Sequence, residues 1–249
     1  MVVSPYHHAE GQREIMGRKA EAHSLIEEAY RSIKRLMLQQ KLFPGQKLLY
    51  RELIGRLGMS KTPIVNALNR LEQEGFVIAE PNFGYTVKPI DAKEIFDSFE
   101  VREALEVKTI RQALKKGKPE QMGVLEEKLQ IFERYRPDRY DKKKLMLDCD
   151  FHLQIAAMSG NNILKYLLRR NFEHIILRAK LDNYEPGRMD AAAEDHRRLL
   201  ESMKKKDVPR CVDLIENHIK RSRDYVIRRL SKEEQEGIES IPFFENVEA

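Results

Sequence analysis

The stretch LDCDFHLQIAAMSGN, residues 147–161, places Asp148 and His152 four residues apart. On a helix that spacing puts both side chains on one face. Leu147, Phe151, Ile155 and Met158 recur at helical spacing beside them, so the carboxylate and the imidazole border an apolar stripe. Two later histidines also stand in amphipathic segments: His196 in AAAEDHRRLLESM and His218 in CVDLIENHIKRS. If the helices fold back on one another, all four groups can aim at one interior point. One carboxylate and three imidazoles suit Zn²⁺, and also accept Ni²⁺, Mn²⁺ or Fe²⁺. Each group has a plainer reading beside this one. An Asp and a His one turn apart make an ordinary surface contact, and a single His on a helix is usually just hydrogen-bonded. His174, in NFEHIILRAK, has nothing near it to complete a set, and His7, His8 and His23 lie in or near the N-terminal tail. Metal with His and Asp can also activate water, as a hydrolase requires. No general acid or base stands apart from the ligand set, however, and no catalytic residue is assigned.

The elements that must position these groups are legible from periodicity. Residues 1–22 read as a polar tail, and residues 23–90 as a first unit. A helix begins at Ser24 and ends before the turn Pro44-Gly45. A short helix spans Tyr50 to Leu57, and a third runs from Thr62 to Glu74. Two brief runs of strand character, Phe76 to Ala79 and Tyr85 to Lys88, flank Pro81, Asn82 and Gly84, which mark a hairpin. From Asp91 the pattern is helical, with breaks at Gly117 and Pro119, Pro137, Ser159 to Asn161, Pro186-Gly187 and Asp207 to Pro209. These leave about six segments, and short connections between helices favour an antiparallel bundle. The bundle is expected over 91–230, followed by an acidic tail over 231–249. The fold class is therefore mainly α: a small N-terminal unit and a helical bundle.

Composition agrees. At 41% hydrophobic and 34% charged residues the chain can build a core, so disorder is not expected. The net charge of +5 is too small to argue by itself for nucleic acid. Cys149 and Cys211 have no CxxC partner, which suits a reducing cytoplasm. No run approaches the ~18 apolar residues of a membrane span.

The segment GMSKTPIVNALNRLEQEG, residues 58–75, is built for recognition. Thr62 is placed to cap the helix, and Pro63 suits the first helical position. Ile64, Ala67, Leu68 and Leu71 face inward, while Lys61, Thr62, Val65, Asn66 and Asn69 face outward near the helix start. A helix-turn-helix reader presents this part of its second helix to DNA. The plain alternative is a small helical cap with solvated polar positions. Three helices followed by a two-stranded wing favour DNA.

Residues 36–87, LMLQQKLFPGQKLLYRELIGRLGMSKTPIVNALNRLEQEGFVIAEPNFGYTV, resemble the winged helix of the GntR family of bacterial transcription regulators. The resemblance implies that Arg51, Lys61 and Thr62 contact DNA, and that Phe83 and Gly84 bring the wing to the minor groove. The family usually has Arg and Glu where this chain has Val65 and Asn66. Val65 cannot fork onto guanine, whereas Asn66 can pair with adenine. Phosphate contacts would then fall to Lys61, Arg51 and Arg70. Residues 92 to about 229 look like the FCD ligand-binding domain of the FadR-type branch, in FEVREALE, LDCDFHLQIAAMSGN, EDHRRLLESMKKKD and CVDLIENHI. In metal-containing members of that branch the ligands occupy the places of Asp148, His152, His196 and His218. Asn161 matches a helix-start residue. The resemblance further implies a small organic acid as effector, a homodimer on a double-stranded DNA operator, and no enzymatic activity. Arg102 is a candidate anchor for the acid, with a salt bridge to Glu106 as its plain alternative.

Overall fold

The computed structural model describes residues 24–81, 84–137, 142–178 and 186–239. The chain divides into two compact units, with the boundary between Ile90 and Asp91. The N-terminal unit contains helix α1 (24–38), strand β1 (Lys47–Leu48), helices α2 (Tyr50–Leu57) and α3 (Lys61–Gln73), and strands β2 (Val77–Glu80) and β3 (Gly84–Val87). Its core is a stack of fully buried aliphatic side chains: Ile33 from α1, Leu53 from α2, and Ile64, Leu68 and Leu71 from α3.

The α3 helix begins at Lys61, with Ser60 at the cap position and no side-chain capping bond. Thr62 therefore does not cap it. Pro63 is buried in the first turn, where its missing N–H costs no helical hydrogen bond. The sheet holds three strands in the order β1-β3-β2, all antiparallel, instead of the two-stranded wing expected. Leu48 pairs with Tyr85, and Val77 with Val87. A two-residue strand carries no period, so β1 could not be read beforehand. Gly84 opens β3 at φ +95°, and a Cβ there would stand 3.4 Å from the Leu48 carbonyl oxygen. That glycine thus has a reason internal to the sheet.

The second unit is a bundle of six helices: α4 (Ala92–Lys116), α5 (Pro119–Arg134), α6 (Lys142–Met158), α7 (Asn162–Arg178), α8 (Pro186–Lys204) and α9 (Val208–Glu239). The Asp91 side chain accepts from the Lys93 amide and caps α4. Asn161 accepts from the Leu164 amide and so starts α7. Pro186 opens α8 as its first residue, at the break the sequence marks there. The last helix runs on to Glu239, although the acidic composition suggested a tail from Ser231. SKEEQE has high helix propensity and no breaker, so the helix propagates through it. Among the described residues no helix is long and apolar enough to cross a membrane.

The α4 helix packs against α6, α7 and α9; α5 packs against α6 and α8, and α8 against α9. The bundle interior therefore lies where α4, α6, α8 and α9 converge. Gly117, at the end of α4, shows how tight the packing is: a Cβ there would meet the Ala113 carbonyl at 2.6 Å and the Met158 side chain at 3.1 Å. Gly117→Ala is expected to destabilise the bundle by about 1–3 kcal/mol, as over-packing does. Urea denaturation followed by circular dichroism would measure it, and an unchanged midpoint would show that this junction has slack.

Candidate functional site

Asp148 and His152 lie one turn apart on α6, His196 on α8 and His218 on α9. One donor atom from each of the four lies within 4.8 Å of the others. All four are buried, the three histidines at 1–2% exposure. The imidazole centroids are separated pairwise by 5.0, 5.1 and 5.0 Å. His196 Nε2 stands 3.2 Å from His152 Nε2 and 3.3 Å from Asp148 Oδ1. The rings thus face a common point.

Two of the three rings are oriented by buried carboxylates behind them. His152 Nδ1 lies 2.6 Å from Glu106 Oε2, too oblique for a well-directed hydrogen bond but close enough to fix the proton on Nδ1. His218 Nδ1 donates to Asp195 Oδ2 at 3.1 Å, and Arg221 donates to the same oxygen at 2.6 Å. In both rings Nε2 is then the nitrogen that could ligate a metal ion. The third ring, His196, is held by packing: it stacks on Phe151 at 4.3 Å and meets Phe132 edge-on at 5.1 Å. Burial pushes the His196 imidazolium down; Asp148 opposes the shift and His152 and Arg102 reinforce it, leaving a pKa of about 3. The ring is neutral near pH 7, the form a cation binds.

Arg102 is buried beside this cluster. Its Nε donates to Glu106 Oε1 at 2.6 Å, so the salt bridge one turn along α4 is formed. A second nitrogen of the same guanidinium stands 3.3 Å from His152 Nε2, and the group lies 4.8 Å over the Phe172 ring. Burial alone would raise the Glu106 carboxyl, but His152 and Arg102 together hold it at about 2. Burial likewise works against the Arg102 cation, and Glu106 and Asp148 keep its pKa above the ordinary value.

Three supporting residues escaped the sequence reading. Glu106 was visible only as a partner for Arg102, not for His152. Asp195 follows Glu194 and precedes His196, yet it faces His218 from the neighbouring helix, which only the α8–α9 packing reveals. Lys144, one turn before Asp148, is buried and donates to the Phe132 and Tyr135 carbonyls at the end of α5. Its ammonium thereby satisfies carbonyls that lack helical partners. His174 lies outside the cluster, 3.3 Å from Glu94 and 3.1 Å from Ser98. Cys149 is buried in an apolar cluster with Ala156, Leu168 and Phe172, and burial raises its thiol well above the ordinary range.

In the N-terminal unit, Arg51, Lys61, Thr62 and Asn66 are exposed. Arg51 lies in the first turn of α2, and the Lys61 ammonium sits 4.9 Å over the Tyr50 ring. Asn66 Nδ2 donates to the Thr62 carbonyl at 3.0 Å. Arg70 is engaged within the unit. It donates to Glu27 at 2.7 Å and to Glu74 at 3.3 Å, and lies 3.7 Å over the Tyr30 ring. It fastens α3 to α1. Phe83, His7, His8 and His23 lie outside the described residues.

A winged helix joined in one chain to a helical bundle with a buried polar centre describes a two-unit DNA-binding regulator. Residues 25–87 match bacterial regulatory proteins of the gntR family, and residues 97–221 match the FCD domain. The chain belongs to the GntR family of regulators, in the branch that carries an FCD domain. It is 28% identical over 184 residues to the Nta operon transcriptional regulator of Aminobacter aminovorans, across 74% of this chain and 86% of that protein. It is 24% identical over 204 residues to the HTH-type transcriptional repressor GlaR of Escherichia coli, across 77% and 91%. Its fold is that of E. coli McbR/YncC, with a TM-score of 0.69 at 20% identity over 83% of this chain and 98% of that one. The relatives are transcription regulators, not enzymes.

Glu106→Gln keeps the size of the side chain and removes the charge that compensates Arg102. Breaking a buried pair from one side costs about 3–5 kcal/mol. Denaturant titration at neutral pH should show a loss of that order, and a loss under about 1 kcal/mol would mean that solvent reaches Arg102.

Proposed function

We propose that the chain is a ligand-responsive transcription regulator whose helical unit senses a small carboxylate at a divalent metal held by Asp148, His152, His196 and His218. The observation that carries this reading is the convergence of four buried donors from three helices, two of them backed by carboxylates. Outer carboxylates of that kind orient imidazoles around metals. The donor set fits the group, because neutral imidazoles and one carboxylate suit a borderline cation. Zn²⁺ is the first choice, with Ni²⁺, Mn²⁺ and Fe²⁺ as competitors. A bound ion of this type would supply positive charge and open coordination positions for a carboxylate oxygen.

Arg102 is the second anchor on this reading. Glu106 keeps its guanidinium in place, and the nitrogen now directed at His152 is the edge that would turn to the acid. In the N-terminal unit, Arg51, Lys61 and Thr62 supply contacts to an operator, and Gly84 opens the last strand of the wing. Regulators of this kind read paired half-sites, so the working form is a homodimer. Such DNA-bound regulation belongs to the cytoplasm. The coupling is linkage: an acid changes DNA affinity only as far as it favours one arrangement of the protein over another.

The test has three arms on chelator-treated full-length protein. Calorimetric titration with Zn²⁺ should give one site per chain, and His196→Ala should weaken it by at least about tenfold. Small carboxylic acids should bind only after metal is restored, and Arg102→Ala should lose the acid while keeping the metal. Fluorescence titration on the native upstream DNA should then shift when acid is added. Metal binding with no acid response, together with a stability loss in His152→Ala, would reduce the ion to a structural brace and defeat the sensing reading.

A further inference from the structure

The outward face of α3 carries few side chains able to read a base. Lys61 and Arg70 are the basic residues of α3. Arg70 is turned to α1, where Glu27 and Glu74 take its N–H groups and Tyr30 covers its plane. Lys61 rests over the Tyr50 ring. The Asn69 amide oxygen accepts from the Tyr85 hydroxyl, which ties α3 to β3. Val65, half-buried, and Asn66, exposed, remain in the first two turns.

Guanine in the major groove shows two acceptors and is most often read by an arginine fork; adenine shows an acceptor beside a donor, and thymine shows a methyl group. Asn66 gives one Nδ2 hydrogen to the Thr62 carbonyl, which holds its amide against the helix. Its second N–H and its Oδ1 form the donor–acceptor pair that complements adenine. The Val65 methyl groups complement the methyl of thymine. We infer that α3 reads A·T pairs at the centre of each half-site, with Val65 on a thymine methyl and Asn66 on adenine. The inference rests on α3 being the helix that enters the groove.

The experiment is selection of binding sites from a randomised duplex pool by the full-length chain, with Zn²⁺ present. The selected sites should be constrained to A·T in the middle of each half-site. Replacing one thymidine at a time by deoxyuridine deletes a single methyl and should cost about fourfold in affinity at the contacted position. Val65→Ala should be indifferent to that replacement. Asn66→Ala should lose between about fivefold and a hundredfold on the selected site, and its preference for A·T over G·C at one position should vanish. Val65→Arg should shift selection toward guanine. The deoxyuridine arm needs no variant, so a folding defect cannot mask the answer. Constrained G·C pairs in the half-site centre would overturn the inference while leaving α3 in the groove. A·T enrichment indifferent both to deoxyuridine and to Asn66→Ala would mean that groove shape is read instead, and would overturn it as well. A pool with no enriched sequence would remove α3 from the groove altogether.

Discussion

The helical unit depends on placing charge where water cannot solvate it. Asp148, Glu106 and Arg102 are all buried in the bundle, with three imidazoles between them. An isolated charge in such a place costs many kcal/mol, so each must be matched. Glu106 does most of the matching. One of its oxygens takes Arg102, and the other approaches His152. A single carboxylate thus orders both a cation and a ring, and it stays ionised because both neighbours favour the anion. Asp148 faces His196 and His152 from the other side. The three histidines aim ring nitrogens inward, and a divalent cation bound among them would offset the charge of Asp148.

The N-terminal unit divides its polar residues differently. Its core is aliphatic, and its charges lie at the surface in pairs of small individual worth. Arg70 illustrates the division. Its guanidinium spans Glu27, Glu74 and the Tyr30 ring, so it orients α3 upon α1. A cation that brings two helices together is already committed within the fold. The outward surface at the start of α3 carries Lys61, Thr62, Val65 and Asn66.

Much of this was legible in the sequence, for identifiable reasons. Asp148 and His152 share a face because their separation is close to one helical turn, and periodicity alone reveals that. The joining of His196 and His218 to them is a tertiary fact; it was expected from residue type and from likeness to the FCD domain, and the coordinates bring the four together. The helix breaks were marked by Gly, Pro and Asn, and α2 began and ended where its pattern indicated. What escaped had no local signal. The β1 strand is two residues long, and its partner lies far along the chain. Asp195 next to His196 looks like a neighbour on the wrong side of one helix, and only the packing of α9 turns it into the support for His218. The continuation of α9 was missed for another reason, since high charge signals both tails and exposed helices.

Asp91 caps α4 at the unit boundary, and the same helix carries Arg102 about three turns and Glu106 about four turns further on. On the proposed reading, the side chain that would meet the acid stands on the first helix of the bundle. Asp148, His152, His196 and His218 stand on the helices that surround it. Ligand capture would then pull α4 relative to α6, α8 and α9, through groups whose burial leaves little slack. Linkage requires two packed arrangements of different affinity for the acid, and on the proposed reading Arg102 would exchange its contact with His152 for one with the carboxylate.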